Sequence, residues 1–283
     1  MRGYLDLMKL RVVELLLVST LPAMILAAKG LPSFSLVAAT ITAGTFAAGS
    51  ANAFNMVIES DIDKLMERTS KRPIVTGVIS KTNAAIFATV IGVLSLIMFW
   101  VFTTPLATLL TLIAIVFYVL VYTMALKQRT SQNIVWGGIA GCMPVLIGQA
   151  AVSNSLTTTS WLFFLLIFFW TPPHFWALAV RYKDDYKAAG IPMLPVVAPI
   201  KSVINQMWFH SLAMAIVSLL VIWSAKLPIW LSVVTLLLIA GWKRQLIKLT
   251  KEPSEVNAGK LFQASIVFLS IYSFLLVIGV LLK

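Results

Sequence analysis

The chain has 283 residues, 60% of them hydrophobic and 11% charged, with a formal net charge of +12. A soluble domain carries charge on about a quarter of its residues, so composition excludes a soluble fold, and with it any basic face offered to nucleic acid. The single cysteine, Cys142, excludes an internal disulfide and a cysteine-based metal cluster.

Apolar runs of about twenty residues recur from end to end, the length that spans a bilayer as helix. The alternating ten-residue segments of a membrane barrel are absent. The start, MRGYLDLMKLRVVELLL, holds neither a cleavable signal nor an Arg/Ser-rich transit peptide and reads as a short cytoplasmic tail entering a retained helix. Nine spans are expected, at 12–28, 35–58, 82–102, 106–126, 133–152, 160–181, 202–224, 228–246 and 260–282. They form an all-α polytopic membrane protein, a single transmembrane domain over 1–283.

Connections alternate in character. Those after odd-numbered spans, such as AKGLPS, TTP and AKLP, are short and carry helix-breaking Pro or Gly, whereas those after even-numbered spans carry the charge. With a cytoplasmic N-terminus, all of the 22 Lys and Arg residues except Lys29, Lys226 and Lys283 fall on the cytoplasmic side, a strong positive-inside bias. The remaining affinity of such a surface is for anionic lipid. A bacterial plasma membrane is the expected location.

The acids are more telling. Glu59, Asp61, Asp63 and Glu67 follow span two, and Asp184 and Asp185 follow span six. The recurrence suggests two four-helix halves plus a ninth helix around a central cavity, and sites in such repeats form between the halves.

In NMVIESDIDKLMERTSKRP, a helix continued past the end of span two puts Asn52, Asn55, Glu59 and Asp63 within an arc of about 80°, with Asp61 pointing nearly the other way. Oxygen ligands of this kind suit Mg²⁺, which takes a few carboxylates together with phosphate oxygens and water. Arg68, Lys71 and Arg72 follow at once, and arginine forks and lysine point charges are the usual diphosphate partners. A solvated loop that merely stops the helix is the bland alternative. It is favoured for Asp61, Lys64 and Glu67, and the site is favoured for Asn55, Glu59 and Asp63.

Span four closes in YTMALKQRTSQN, where Tyr122, Lys127 and Arg129 are candidate ligands for a diphosphate or an acidic substrate, with pure topology signalling as the alternative. Span six ends in WTPPHFWALAVRYKDDYKAAGIPMLP. His174, Arg181 and Asp185 fall within about 40° on a helical wheel, and Arg181 and Asp185 form an i,i+4 pair. Pro172 and Pro173 are expected to kink or break the span, and broken helices in membranes line cavities. His174 is deep for an ionisable side chain and is either functional or a neutral imidazole satisfied by a neighbouring carbonyl. Asp185 is the better of the adjacent acids for a second Mg²⁺. AAGIPMLP reads as a turn that could cover the site.

Three blocks, NMVIESDIDKLMERTSKRPIVTG, YTMALKQRTSQNIVWGGIAGCMPVLIG and WTPPHFWALAVRYKDDYKAAGIPMLPVV, closely resemble the protoheme IX farnesyltransferase (heme O synthase) family, a branch of the UbiA-type intramembrane prenyltransferases. LMKLRVVELLLVSTLPAM and KLFQASIVFLSIYSFLL resemble it too, so the likeness covers nearly the whole chain. It implies nine helices around a cavity open toward lipid. It also implies transfer of farnesyl from farnesyl diphosphate to a vinyl group of heme B, with addition of water, giving heme O and diphosphate. Metal ligation carries over onto Asn55, Glu59 and Asp63, with Glu59 standing where the family commonly has Asp. Asp184 and Asp185 are adjacent where the wider superfamily has a spaced acidic motif, and Leu10 replaces the usual proline. The catalytic set read from residues and resemblance together is Asn55, Glu59, Asp63, His174 and Asp185. The diphosphate set is Arg68, Lys71, Arg72, Lys127 and Arg181, and Asp185 joins the Mg²⁺ ligands. Phe54, Tyr118, Tyr122 and Trp176 are candidates to face an allylic cation. Farnesyl diphosphate, heme B and membrane lipid are the expected partners, with a downstream heme-modifying enzyme as a candidate one. Two rivals stand beside this reading: a prenyltransferase of the same fold with a quinone-type aromatic acceptor, and an ion-coupled transporter.

Overall fold

A computed structural model describes residues 2–67 and 69–283, with side chains described outside 11–17. Every regular element among the described residues is helical. The helices are α1 (Arg2–Met8), α2 (Leu10–Ala28), α3 (Phe34–Glu59), α4 (Lys81–Phe102), α5 (Pro105–Val116), α6 (Asn133–Ser153), α7 (Thr158–Arg181), α8 (Lys183–Ala188), α9 (Leu194–Val197), α10 (Ile200–Ser224), α11 (Trp230–Lys251) and α12 (Glu255–Leu281). A π-helical stretch, Phe117–Leu126, prolongs α5.

Eight of the described helices are long and apolar enough to cross a membrane. In α2 the described apolar part is Val18–Ala28, so the expected count of nine is approximate. The chain is a multi-pass membrane protein. Helix starts are set by hydroxyl caps: Ser33, Ser80, Thr104, Thr157 and Ser254 each accept a backbone N–H of the first turn, and Thr157 forms a reciprocal capping box with Ser160. Hydropathy misjudged one boundary. The charged connection expected between the spans at 228–246 and 260–282 is mostly helix, because α11 runs on to Lys251 and α12 begins at Glu255. Trp242, Leu246 and Leu249 remain buried along that extension while Lys243, Arg244, Lys248 and Lys251 take the other positions, so amphipathic periodicity carries the helix past the apolar run.

The long helices close a ring. Each packs on the next, from α2 through α7 to α10, α11 and α12, and α12 returns to α2. The contacts α2–α6 and α7–α12 cross the interior. Small side chains let the backbones approach, as expected where lipid supplies no hydrophobic drive between helices. Along α3 and α4, Ser50 donates to the Ala88 carbonyl and Ser95 to the Ala43 carbonyl, both at 2.7 Å. Between α2 and α6 the fit needs glycine: a Cβ on Gly148 would stand 2.8 Å from the Thr20 carbonyl oxygen.

Two expectations are corrected here. Pro172 and Pro173 do not break the sixth span, since α7 is continuous through both. The Thr171 hydroxyl donates to the Ile167 carbonyl at 2.8 Å beside them, and such side chains, with packed neighbours, make proline tolerable in a spanning helix. Nor does one helical face carry Asn55, Glu59 and Asp63. α3 stops at Glu59, Ser60 turns its hydroxyl back to the Val57 carbonyl at 3.2 Å, and Asp63 opens a 3₁₀ turn, Asp63–Leu65. The chain still buries Asp63 beside the end of α3, by tertiary contact instead of helical register.

Candidate active site

A cavity of about 390 Å³ opens inside the ring, lined by α2, α3, α5 with its π-helical extension, α6 and α7. Its wall is mostly apolar, with polarity concentrated at one end. There Lys9, Arg72 and Lys127 reach the lining together with Asn52, Asn55, Tyr118 and Tyr122.

Each cation is held by a buried partner. Lys127 Nζ donates to Glu59 Oε2 at 2.6 Å, and Arg72 Nη1 donates to Asp63 Oδ2 at 2.5 Å. Both carboxylates are buried, with side-chain exposures of 2% and 4%. They stand behind the cations, which form the surface that a ligand meets. Lys9 Nζ donates to Asn55 Oδ1 at 3.1 Å, while the Asn55 amide donates to the Thr123 hydroxyl at 3.3 Å. Lys9 sits at the junction of α1 and α2, outside the spanning segments, in the left-handed conformation (φ 51°). That break lets a residue preceding a membrane helix turn inward. Burial pushes its ammonium well below the ordinary lysine value; Arg72 and Lys127 push the same way, and Glu59 and Asp63 oppose them.

The π-helical stretch sets two further groups. Thr123 donates to the carbonyl of Tyr118, and the N–H of Lys127 to that of Tyr122, each at 2.9 Å and each five residues back. The wider turn is a feature that recurs at functional sites. The Tyr118 and Tyr122 rings lie 5.4 Å apart on the cavity wall. Gly137 is required beside them, because a Cβ there would run into the Tyr122 ring.

The donor set fits a divalent cation. Glu59 Oε1 is buried with no hydrogen-bond partner, a costly state for a carboxylate oxygen and one that a cation relieves. Asn55, Glu59 and Asp63 supply the few hard oxygens Mg²⁺ takes from protein when phosphate and water complete its shell. No cluster of three or more His, Cys, Asp or Glu converges among the described residues, so these residues alone do not form a closed metal cage.

The match to known proteins is extensive. A model of the UbiA prenyltransferase family matches residues 16–276. The chain belongs to the UbiA prenyltransferase family. Among its relatives, a protoheme IX farnesyltransferase of Renibacterium salmoninarum is 53% identical over 221 residues, covering 78% of this chain and 70% of the relative. One of Frankia alni is 46% identical over 275 residues, covering 95% and 94%. In fold, the chain is similar to a digeranylgeranylglyceryl phosphate synthase (TM-score 0.81, 18% identity, 100% and 99% of the two chains). It is also similar to a UbiA homologue from Archaeoglobus fulgidus solved with DMAPP and Mg²⁺ (TM-score 0.73, 19% identity, 97% and 99%).

Within this UbiA-family cavity the remaining expected site residues are distributed unevenly. His174 lines it, 4% exposed, as do Tyr186 of α8 and Met193 at the start of α9. Tyr186, Ile191 and Met193 pack with Met66, Ile134 and Ala179, so the turn between α8 and α9 covers one end of the cavity. Asp185 is half-buried on α8 and Arg181 is exposed at the end of α7, its guanidinium 5.6 Å from the centre of the Tyr182 ring. The face expected to join His174, Arg181 and Asp185 does not form, because α7 ends at Arg181 and the chain restarts as α8 after Tyr182. Lys71 and Arg129 are exposed. Arg68 lies outside the described residues. Of the aromatic candidates, Tyr118 and Tyr122 face the cavity, whereas Phe54 packs in the cluster of Leu7, Met56 and Ala84, and Trp176 is fully buried in the core. Trp170 and Phe175 line the wall in their place.

Asp61 shows the contrast between the site and its surroundings. It is exposed, 3.0 Å from both Lys64 and Lys81. Hydrogen bonds from Lys64 and then Lys81 hold its carboxyl below the usual carboxylate range. Its contribution to stability is therefore present above the ordinary carboxylate pKa and fades as pH falls through the lowered folded value. Asp61→Asn is expected to leave prenyl transfer unchanged at neutral pH, measured as diphosphate release. A loss like that of a buried carboxylate would place Asp61 in the site.

Proposed function

We propose that this chain transfers farnesyl from farnesyl diphosphate to a vinyl group of heme B, with addition of water, giving heme O and diphosphate. The likeness to protoheme IX farnesyltransferases along nearly its whole length supports the acceptor and donor. The observation that carries the chemistry is the cavity itself: three cations and two tyrosines at one end of a largely apolar chamber. That is the polarity of a prenyl diphosphate, with its head at the charged end and its chain along the wall.

Each group has a distinct task. Lys9, Arg72 and Lys127 take up the diphosphate, whose negative charge grows as the allylic C–O bond breaks. Asn55, Glu59 and Asp63 hold Mg²⁺, which when bound neutralises diphosphate charge and makes it a better leaving group. Lys127 and Arg72 then exchange carboxylate for diphosphate oxygens, and Glu59 Oε1 gains a partner. The apolar wall keeps water from the farnesyl cation, and the faces of Tyr118 and Tyr122 stabilise it. The vinyl π-electrons form the new C–C bond at C1 of the farnesyl group. Water adds to the carbon left electron-deficient on the porphyrin side and loses one proton, completing the hydroxyethylfarnesyl group. The exposed cations Lys71 and Arg181, outside the cavity lining, act in substrate entry or in binding the heme propionates.

The N-terminus and the charged end of the cavity face the cytoplasm in this reading, which the distribution of Lys and Arg supports. A quinone-type acceptor would use the same charged end and is separated by product. Hemes extracted from cells lacking or overproducing the chain are expected to lose or gain heme O. An unchanged heme O level in both would overturn the acceptor assignment, whereas a transporter would release no diphosphate at all.

A further inference from the structure

The wall that carries His174 is chemically unlike the charged end. It is made by Trp170, Phe175 and Leu178 of α7 and Leu269 of α12, with the His174 imidazole and the Thr171 hydroxyl, which donates to its own helix, as the polar groups among them. His174 lies seven residues before the end of α7, about 10 Å along its axis at 1.5 Å per residue.

Its ring is fixed from three sides. Trp170 stacks on one face at 4.2 Å and Phe262 at 4.5 Å, with interplanar angles of 21° and 27°. Nδ1 lies 2.5 Å from the hydroxyl of Ser265. The indole of Trp170 donates to the Ser265 carbonyl at 2.9 Å, tying the stack to the same turn of α12.

These contacts decide where the proton is. The Ser265 hydroxyl donates its only hydrogen to the Phe262 carbonyl, 2.5 Å away. It can therefore only accept from His174, so Nδ1 carries the hydrogen and Nε2 carries the lone pair. Among the described residues Nε2 has no hydrogen-bond partner, and no acid or base pairs with the ring. A rigid, neutral imidazole with its Nε2 lone pair unengaged thus lines a largely apolar chamber. An imidazole whose other nitrogen donates to an oxygen is the arrangement of a metal-bound histidine, and haem iron is commonly held this way.

We propose that Nε2 of His174 ligates the iron of the porphyrin substrate. This rests on the heme acceptor proposed above. The bond forms by donation of the Nε2 lone pair into a vacant axial position of iron, with no change of oxidation state and no proton lost. It sets the depth of the porphyrin below the diphosphate end, and His174 acts as a positioning ligand for the vinyl group.

The chain has two histidines. The other, His210 on α10, turns Nδ1 to the Gln206 carbonyl at 2.9 Å and is not part of the cavity wall. Purified protein carrying ¹⁵N-histidine and loaded with heme B is expected to show ¹⁵N hyperfine coupling at iron by pulsed electron paramagnetic resonance, kept in His210→Gln and lost in His174→Ala. His174→Ala is expected to weaken heme B binding by about tenfold or more, with free imidazole restoring the wild-type spectrum. Iron-free protoporphyrin IX should bind the wild type and His174→Ala within about twofold of each other. Absence of histidine coupling in the wild type with heme bound would overturn the ligation and leave the acceptor standing. Equal weakening for the iron-free porphyrin, or an unchanged spectrum with loss only of the hydroxylated product, would also overturn it. The second of these would assign His174 to the attacking water. A wild type that binds neither porphyrin overturns the acceptor assignment and the ligation together.

Discussion

Asp63→Asn is expected to lower turnover by about 10²–10³-fold, the cost of losing one group that stabilises charge developing in a transition state. The substitution keeps the shape of the side chain, and its amide oxygen still accepts from Arg72, so the turn that begins at Asp63 should stay folded. What it removes is a negative charge from a site proposed to hold Mg²⁺. The defect should therefore be eased by raising Mg²⁺, whereas a purely structural role would show no dependence on the ion. The measurement is diphosphate release against Mg²⁺ concentration, for wild type and variant in parallel. Full activity in the variant at low Mg²⁺ would remove Asp63 from the metal site.

The second large effect is on stability. Lys127→Met takes the partner from Glu59, whose carboxylate is 2% exposed and already has one oxygen unpaired. Leaving a buried charge uncompensated costs about 3–5 kcal/mol. Adding Glu59→Gln should recover most of that loss, because the charge is then gone from both sides of the pair. Neither variant should turn over, since Lys127 also faces the cavity, so the two roles separate in the readout. Denaturation midpoints in detergent are expected in the order wild type, double variant, then Lys127→Met. A double variant no more stable than Lys127→Met would mean that the pair is not what holds this end of the cavity together.

Much of the molecule was legible in its letters, for identifiable reasons. Spanning helices announce themselves because the bilayer demands about twenty apolar residues, and eight of the described helices meet that demand. Asn55, Glu59 and Arg72 stood out because polar side chains at the end of such a run need a physical reason to be there. What escaped depended on contacts between distant segments. Lys9 looked like a topology signal, since nothing local shows that a non-glycine residue will adopt the left-handed conformation and turn its ammonium onto Asn55. Arg72 points in and Lys71 out, and adjacent cations in a loop cannot be ranked without the fold around them. The helical wheel brought Asp63 to the right neighbourhood by the wrong route, because it assumed that α3 continues where a 3₁₀ turn takes over. The same assumption failed for Asp185, where α7 ends first. His174 was singled out by its depth, but Ser265 on α12, which orients it, lies 91 residues away and carried no signal of its own.

The central claim is the reaction, and reconstitution tests it most directly. Purified protein in lipid nanodiscs, given heme B, farnesyl diphosphate and Mg²⁺, is expected to form heme O and release one diphosphate per heme, identified by mass and retention time. Diphosphate release with a quinone-type acceptor and none with heme B would contradict the account.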